Sequence, residues 1–168
     1  MTQRTDFAAM SCSVARAWSI IGEPWTPLIL RDLALGLSRF DDLQADLGIA
    51  RNVLADRLRT LNAAGVVAKQ SYQSSNRRRA EYVLTEMGRE LIPVIVVLSQ
   101  WGDRWLDDGA GPPIVFEHSC GAVSRAEIVC NHCRETLAPA EVTASAGPGS
   151  RSGPGSYAAN ALPKTPET

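Results

Sequence analysis

Histidine is almost missing from this chain, which has two in 168 residues, and no run of 18 apolar residues occurs anywhere. A membrane-spanning helix needs about 20 such residues, so no span is expected. The opening MTQRTDFAAMSCSVARAW lacks the unbroken apolar core of a secretory signal. A cytoplasmic protein is therefore expected, in which four cysteines read as thiols or metal ligands rather than structural disulfides. Net charge is nearly absent too, at -1. Binding to a polyanion would then require basic residues gathered on one face. Signatures of catalysis are also wanting: there is no nucleophile elbow, no Ser-His-Asp set and no phosphate-cradling glycine loop. A zinc deaminase requires H-x-E and a later P-C-x-x-C, whereas here Cys120 stands two after His118 and Val129 precedes Cys130. Binding, not catalysis, is the expectation.

What is present falls into three zones. Residues 11–107 carry dense periodic apolar positions. Gly109, Gly111, Pro112 and Pro113 mark a break. Residues 108–142 then hold three of the four cysteines and both histidines. Residues 143–168, rich in Gly, Pro, Ser and Ala, cannot bury enough surface to offset ordering entropy and read as a disordered tail.

Within the first zone, Ser11 is a candidate cap for a helix with Val14, Ala17, Trp18 and Ile21 on one face. A second helix is expected from near Trp25, since Pro27 is tolerated only in a first turn. Its apolar face is Leu28, Ile29 and Leu33, and Gly36 ends it. A third helix spans roughly residues 41–47. After the turn Gly48-Ile49-Ala50 comes a fourth, RNVLADRLRTLNAAG, with Val53, Leu54, Leu58 and Leu61 inward. Two short helices joined by such a turn form a helix-turn-helix. Residues 66–72 and 80–84 read as a β-hairpin with a polar tip. Thr85 then caps a long helix to about Leu106, which Pro93 must kink or break. The fold class is mainly α with a small β-hairpin: a winged helix-turn-helix with flanking dimerisation helices and a small cysteine/histidine extension.

Charge is concentrated in this unit. Between Leu47 and Arg79 stand seven basic residues and one acid, Asp56, a balance of +6 inside a chain of net -1. A basic helix beside a basic wing is the electrostatic footprint of double-stranded DNA binding. Arg51 and Asn52, near the start of the fourth helix, suit the major groove, where Arg pairs with guanine and Asn with adenine. Arg57 is a further candidate, although Arg57 or Arg59 could equally pair with Asp42, Asp46 or Asp56. Arg77, Arg78 and Arg79 at the wing could reach phosphates or a narrow minor groove.

The early Cys12, the Gly-x-x-Trp-Thr block at Gly22 to Thr26, Arg39-Phe40 and the run Leu54 to Leu61 come in a particular order. Glu81-Tyr82, Leu84-Thr85, Gly88 and the final Trp101-Gly102 complete it. This ordered set resembles an HxlR-type winged helix-turn-helix transcription regulator over residues 11–106. The resemblance implies a dimeric bacterial regulator of MarR-like architecture. The last helix gives an independent argument for a homodimer. Leu91, Val94, Ile95, Leu98, Trp101 and Trp105 form one stripe, and Ile92, Val96 and Val97 widen it beyond what a small domain buries on one side.

Two further sites stand out. Cys12 would lie in a first helical turn, where the dipole favours thiolate, with Arg16 one turn on. Several relatives of the family use such a cysteine as a redox switch. The alternative is a buried, inert thiol. His118, Cys120, Cys130 and Cys133 form H-x-C-x9-C-x2-C, a donor set suited to a structural zinc. The alternative there is free thiols or a disulfide. Together these features lead to the expectation of a repressor binding a palindromic operator as a homodimer. The rival reading is a protein-interaction module on a dimeric winged-helix scaffold, its extension stapled by zinc.

Overall fold

Each element boundary in the computed structural model has a local cause. The structure describes residues 6–74 and 77–149, the side chains of residues 72–79 and 139 excepted. The expected tail lies outside the described residues from residue 150 onward. The chain separates into two units, residues 24–127 and a second made of residues 1–23 with 128–168.

In the second unit a short 3-10 turn, Phe7–Ala9, leads to α1 (Ser13–Ile21). Its N-cap is Cys12, not Ser11, and no side chain caps it. The expected apolar face does not enter a core, because Val14 is exposed and Trp18 retains 53% of its surface. Periodicity identified a face but could not say what covers it.

The larger unit begins with α2 (Thr26–Ala34), with Pro27 in its first turn where a missing N–H costs nothing. It buries Ile29 and Leu30, whereas Leu28 is exposed, so the helix is rotated from the expected face. α3 (Phe40–Leu47) ends at Gly48. The φ of +61° there is a left-handed conformation that side-chain-bearing residues seldom adopt. The chain then turns directly into α4 (Arg51–Ala63), which buries Leu54, Leu58 and Leu61. These three join Ile29, Leu30, Leu43, Ile49, Val66 and Val67 in one core.

β1 (Val67–Ser74) and β2 (Arg77–Leu84) pair antiparallel, Val67 opposite Leu84 and Ser74 opposite Arg77. The hairpin is longer than the sequence suggested. Arg77, Arg78 and Arg79 belong to β2 rather than to a loose tip. On its other edge, β2 receives the chain before α3: the Tyr82 N–H donates to the Ser38 carbonyl at 2.7 Å, and Arg39 bridges Glu81. The hairpin is tied to α4 by Asn62, whose Oδ1 accepts from the Lys69 N–H at 3.2 Å.

The expected long last helix is two helices. α5 (Glu86–Arg89) is capped by Thr85 and followed by α6 (Ile92–Trp105), with Pro93 in its first turn. Proline's lost donor and its ring enforce the break. Thr85 does more than cap. Its hydroxyl donates to the Gly65 carbonyl at 2.6 Å and accepts from the Gly88 N–H at 3.2 Å, joining the end of α4 to the start of α5. Gly88 lies so close to the Val66 carbonyl that a Cβ there would overlap it.

A buried acid joins α2 to α3. Asp32 is 1% exposed and accepts from Arg31 at 2.8 Å. Arg31 also reaches Asp46 of α3 at 3.3 Å. Burial pushes the Asp32 carboxyl above its ordinary value, against the lowering effect of Arg31.

Candidate nucleic-acid interface

The outward face of α4 is set by the residues left after its three leucines turn inward. Arg51, Asn52, Ala55 and Arg59 are exposed, while Val53 and Arg57 are only partly so. Asn52, Ala55 and Arg59 recur at i, i+3 and i+7, the spacing of one helical face. The face therefore presents a cation, a carboxamide, a methyl and a second cation, groups that can meet phosphates, adenine edges and the thymine methyl.

Arg51 is held in place from α3. It donates to Asp41 Oδ1 at 2.8 Å and to Gln44 Oε1 at 3.1 Å, and its guanidinium lies 4.8 Å from the centre of the Phe40 ring. This exposed ion pair is weak in water, so a phosphate or a guanine can displace Asp41 while Phe40 keeps the guanidinium oriented. Asn52 is exposed on the next position.

Arg57 occupies a different environment. Its side chain is 18% exposed and donates to Asp56 at 2.6 Å, so it sits beside the exposed face of α4 rather than on it. Arg59 reaches the same carboxylate from the other side and keeps 73% of its side-chain surface. Arg57, and after it Arg59, hold the Asp56 carboxyl below its ordinary value. The one acid in the basic stretch is thus clasped by two arginines. Arg59 and Gln44, not among the candidates the sequence offered, also lie exposed or in contact with Arg51 on this side. The i, i+7 relation of Arg59 to Asn52 places the two on one helical face.

On the wing, Lys69 is exposed and stands 5.9 Å from the Tyr82 ring. Arg77, Arg78 and Arg79 oppose Ser74, Gln73 and Tyr72. The hairpin carries Lys69 on β1, the strand tied to α4 through Asn62, and Arg77, Arg78 and Arg79 on its partner β2.

Outside this interface, Cys12 is half-buried at the α1 N-cap. The Arg16 guanidinium bonds Ser13 Oγ at 3.1 Å. His118 and Cys120 lie in the larger unit, and Cys130 and Cys133 in the other. Among the described residues no three His, Cys, Asp or Glu side chains converge on a metal-sized site. No described helix is long and apolar enough to cross a membrane.

A family model described as HxlR-like helix-turn-helix matches residues 20–110. The chain belongs to the HxlR family. Rv3095 of Mycobacterium tuberculosis, described as an HTH-type transcriptional regulator, is 46% identical over 138 residues, 82% of this chain and 87% of that protein. YvaP of Bacillus subtilis, described in the same way, is 34% identical over 93 residues, 55% of this chain and 85% of its own length. Among solved structures, the candidate transcription factor PA1607 superposes with a TM-score of 0.73 at 33% identity. The match covers 84% of this chain and 99% of that one. The reduced form of the redox regulator HypR matches 56% of this chain and 93% of its own, with a TM-score of 0.52 at 29% identity. Rv3095 and PA1607 both match over a longer stretch than the family model does. As an HxlR-type protein, this chain is a DNA-binding transcription regulator of winged helix-turn-helix architecture.

Proposed function

We propose that this regulator is a cytoplasmic repressor that binds a palindromic operator as a homodimer. One observation carries the reading: the chain bears an exposed basic reading face on α4 and, separately, an exposed apolar stripe on α6. Val94, Leu98, Trp101 and Trp105 lie on that stripe at i, i+4, i+7 and i+11, and each retains half or more of its surface. Two large indoles left in water on one face are costly for a monomer and natural for a partner helix. A two-fold pair would offer two α4 helices to half-sites about 34 Å apart. Such a dimer would cover successive major grooves and block polymerase by occupancy, without any chemistry of its own. Arg51 and Asn52 read bases in this account. Arg59 and the β2 arginines Arg77, Arg78 and Arg79 supply phosphate contacts, and Arg57 acts by holding Asp56.

The test is fluorescence anisotropy on the duplex upstream of the protein's own gene, against a scrambled duplex, at several salt concentrations. Tight, salt-steep binding to the upstream duplex is expected. Replacing Arg77, Arg78 and Arg79 together with Ala should flatten the salt slope by about 0.9 for each phosphate no longer neutralised. Equal weak binding to both duplexes would deny an operator at that site.

Cys12 adds a second proposal, that its oxidation releases the operator. Its partial exposure at a helix N-cap and the likeness to HypR, described as a redox regulator, support it. Peroxide should weaken operator binding by the wild type and leave Cys12→Ser unaffected. An equal response in both would remove Cys12 from the mechanism.

A further inference from the structure

α4 opens in a way that stability alone does not favour. Its first residue, Arg51, puts a cation where the helix dipole disfavours one. No side chain caps the helix at Ala50, and its first turn contains no acid. The negative charge that suits such a terminus comes from α3 instead. Asp41, in the first turn of that helix, accepts from Arg51 Nη1 at 2.8 Å.

Two more residues of α3 fix the same group. Asp41 and Gln44 stand three apart and Phe40 and Gln44 four apart, so the three are neighbours on the helix surface. Gln44 Oε1 also accepts from Arg51 Nη1, at 3.1 Å, and the guanidinium carbon lies 4.8 Å from the centre of the Phe40 ring. Phe40 and Gln44 are half-buried, whereas Arg51 keeps 64% of its side-chain surface and Asp41 keeps 78%. The latch thus combines two anchored supports with one exposed carboxylate. An ion pair so exposed adds little to folding stability. Its effect lies in orientation and in the charge it sets beside Arg51.

These contacts divide the guanidinium unequally. Nη1 is committed to α3, while Nε and Nη2 bond no other group among the described residues. The two free nitrogens form one edge of a planar fork. Such an edge matches the O6 and N7 acceptors that guanine presents in the major groove. A partner that takes this edge leaves the latch closed. A phosphate gains from the guanidinium but meets the Asp41 carboxylate beside it, and like charges repel more strongly as water leaves an interface. The guanine edge is uncharged and avoids that repulsion.

We propose that Asp41 is a specificity-determining residue that acts through Arg51, making it a reader of guanine instead of a phosphate clamp. Phe40 and Gln44 are the positioning residues that hold the fork. The inference rests on the DNA-reading assignment of α4 made above and adds a source of selectivity to it. On a duplex without the matching guanine, Arg51 stays paired with Asp41 and contributes little, so the protein leaves such sites sooner.

The test uses the full chain with two duplexes, an operator selected from random sequence and a scrambled control, at several salt concentrations. Asp41→Asn keeps the shape and the acceptor and removes the charge. It should raise affinity for the scrambled duplex several-fold, steepen that salt slope by about 0.9 for the one phosphate gained, and lower the ratio of operator to scrambled binding. Arg51→Ala should abolish discrimination at one G·C pair, whose replacement costs the wild type roughly 10- to 100-fold. In the Arg51→Ala background, Asp41→Asn should change the ratio no further. Gln44→Met, similar in length but without the acceptor, should weaken discrimination at the same pair. An Asp41→Asn protein with the wild-type ratio and salt slope would overturn the proposal, as would an equal response to that change with and without Arg51. Undiminished discrimination in Gln44→Met would remove Gln44 from the latch. A wild type that selects no sequence would sink the regulator reading and this inference with it, whereas a selective wild type beside an equally selective Asp41→Asn would sink this inference alone.

Discussion

The core around α4 and the outer faces of α1 and α6 both carry large apolar side chains and have opposite exposure. Leu54, Leu58 and Leu61 of α4 are at or near zero exposure, while Trp18 on α1 and Trp101 and Trp105 on α6 each keep more than half of their surface. Both regions show helical apolar periodicity in the sequence. The first closes on itself because the α3–α4 turn and the hairpin bring complementary faces together within about forty residues. The second, split between the two units, leaves its indoles largely uncovered. The difference separates apolar surface that folds the chain from apolar surface that stays in solvent, the surface that the proposed dimer would cover.

Equivalent truncations in the two regions should therefore have unequal effects. Leu58→Ala removes a fully buried side chain and should cost roughly 2–5 kcal/mol, read as a fall in the denaturation midpoint at every protein concentration. Trp101→Glu with Trp105→Glu should leave the monomer folded but shift sedimentation from dimer to monomer. If that variant instead unfolds at all concentrations, the stripe belongs to the core and the comparison fails.

Thr85→Ala probes the junction between the regions. It removes a hydroxyl that both donates to Gly65 and caps α5, and should cost about 1 kcal/mol in chemical denaturation. Serine at the same position should restore most of it.

The pH dependence is a smaller effect, with a defined sign. Asp32 has a folded-state pKa raised above 3.8, chiefly by burial. Between 3.8 and that raised value the native state binds more protons than the unfolded chain, so stability falls as pH rises through it. Asp32→Asn should flatten this acid-side slope in urea titrations. An unaltered slope would assign it to another group.

Much of this was legible in the sequence. Gly48, the three α4 leucines and the Thr85 cap declared the helix-turn-helix and its boundaries, because local chemistry decides them. Pro93 announced an interruption, and the structure makes it a full break. Less legible were matters settled by tertiary packing. Leu30 is buried in place of Leu28 because α2 rotates to meet α3 and β2. Arg57 and Arg59 have similar sequence surroundings, but one lies low against Asp56 and the other stands in solvent. Strand pairing out to Ser74 and Arg77 extended a hairpin whose polar residues read as loop.

If the α6 stripe couples two α4 reading faces, affinities for a full operator and for an isolated half-site must diverge. Anisotropy with both duplexes, for wild type and Trp101→Glu/Trp105→Glu, measures that divergence. The wild type should bind the full operator far more tightly than the half-site, and the variant should bind both with the same weak affinity. A variant that retains the wild-type preference for the full operator would contradict the coupling.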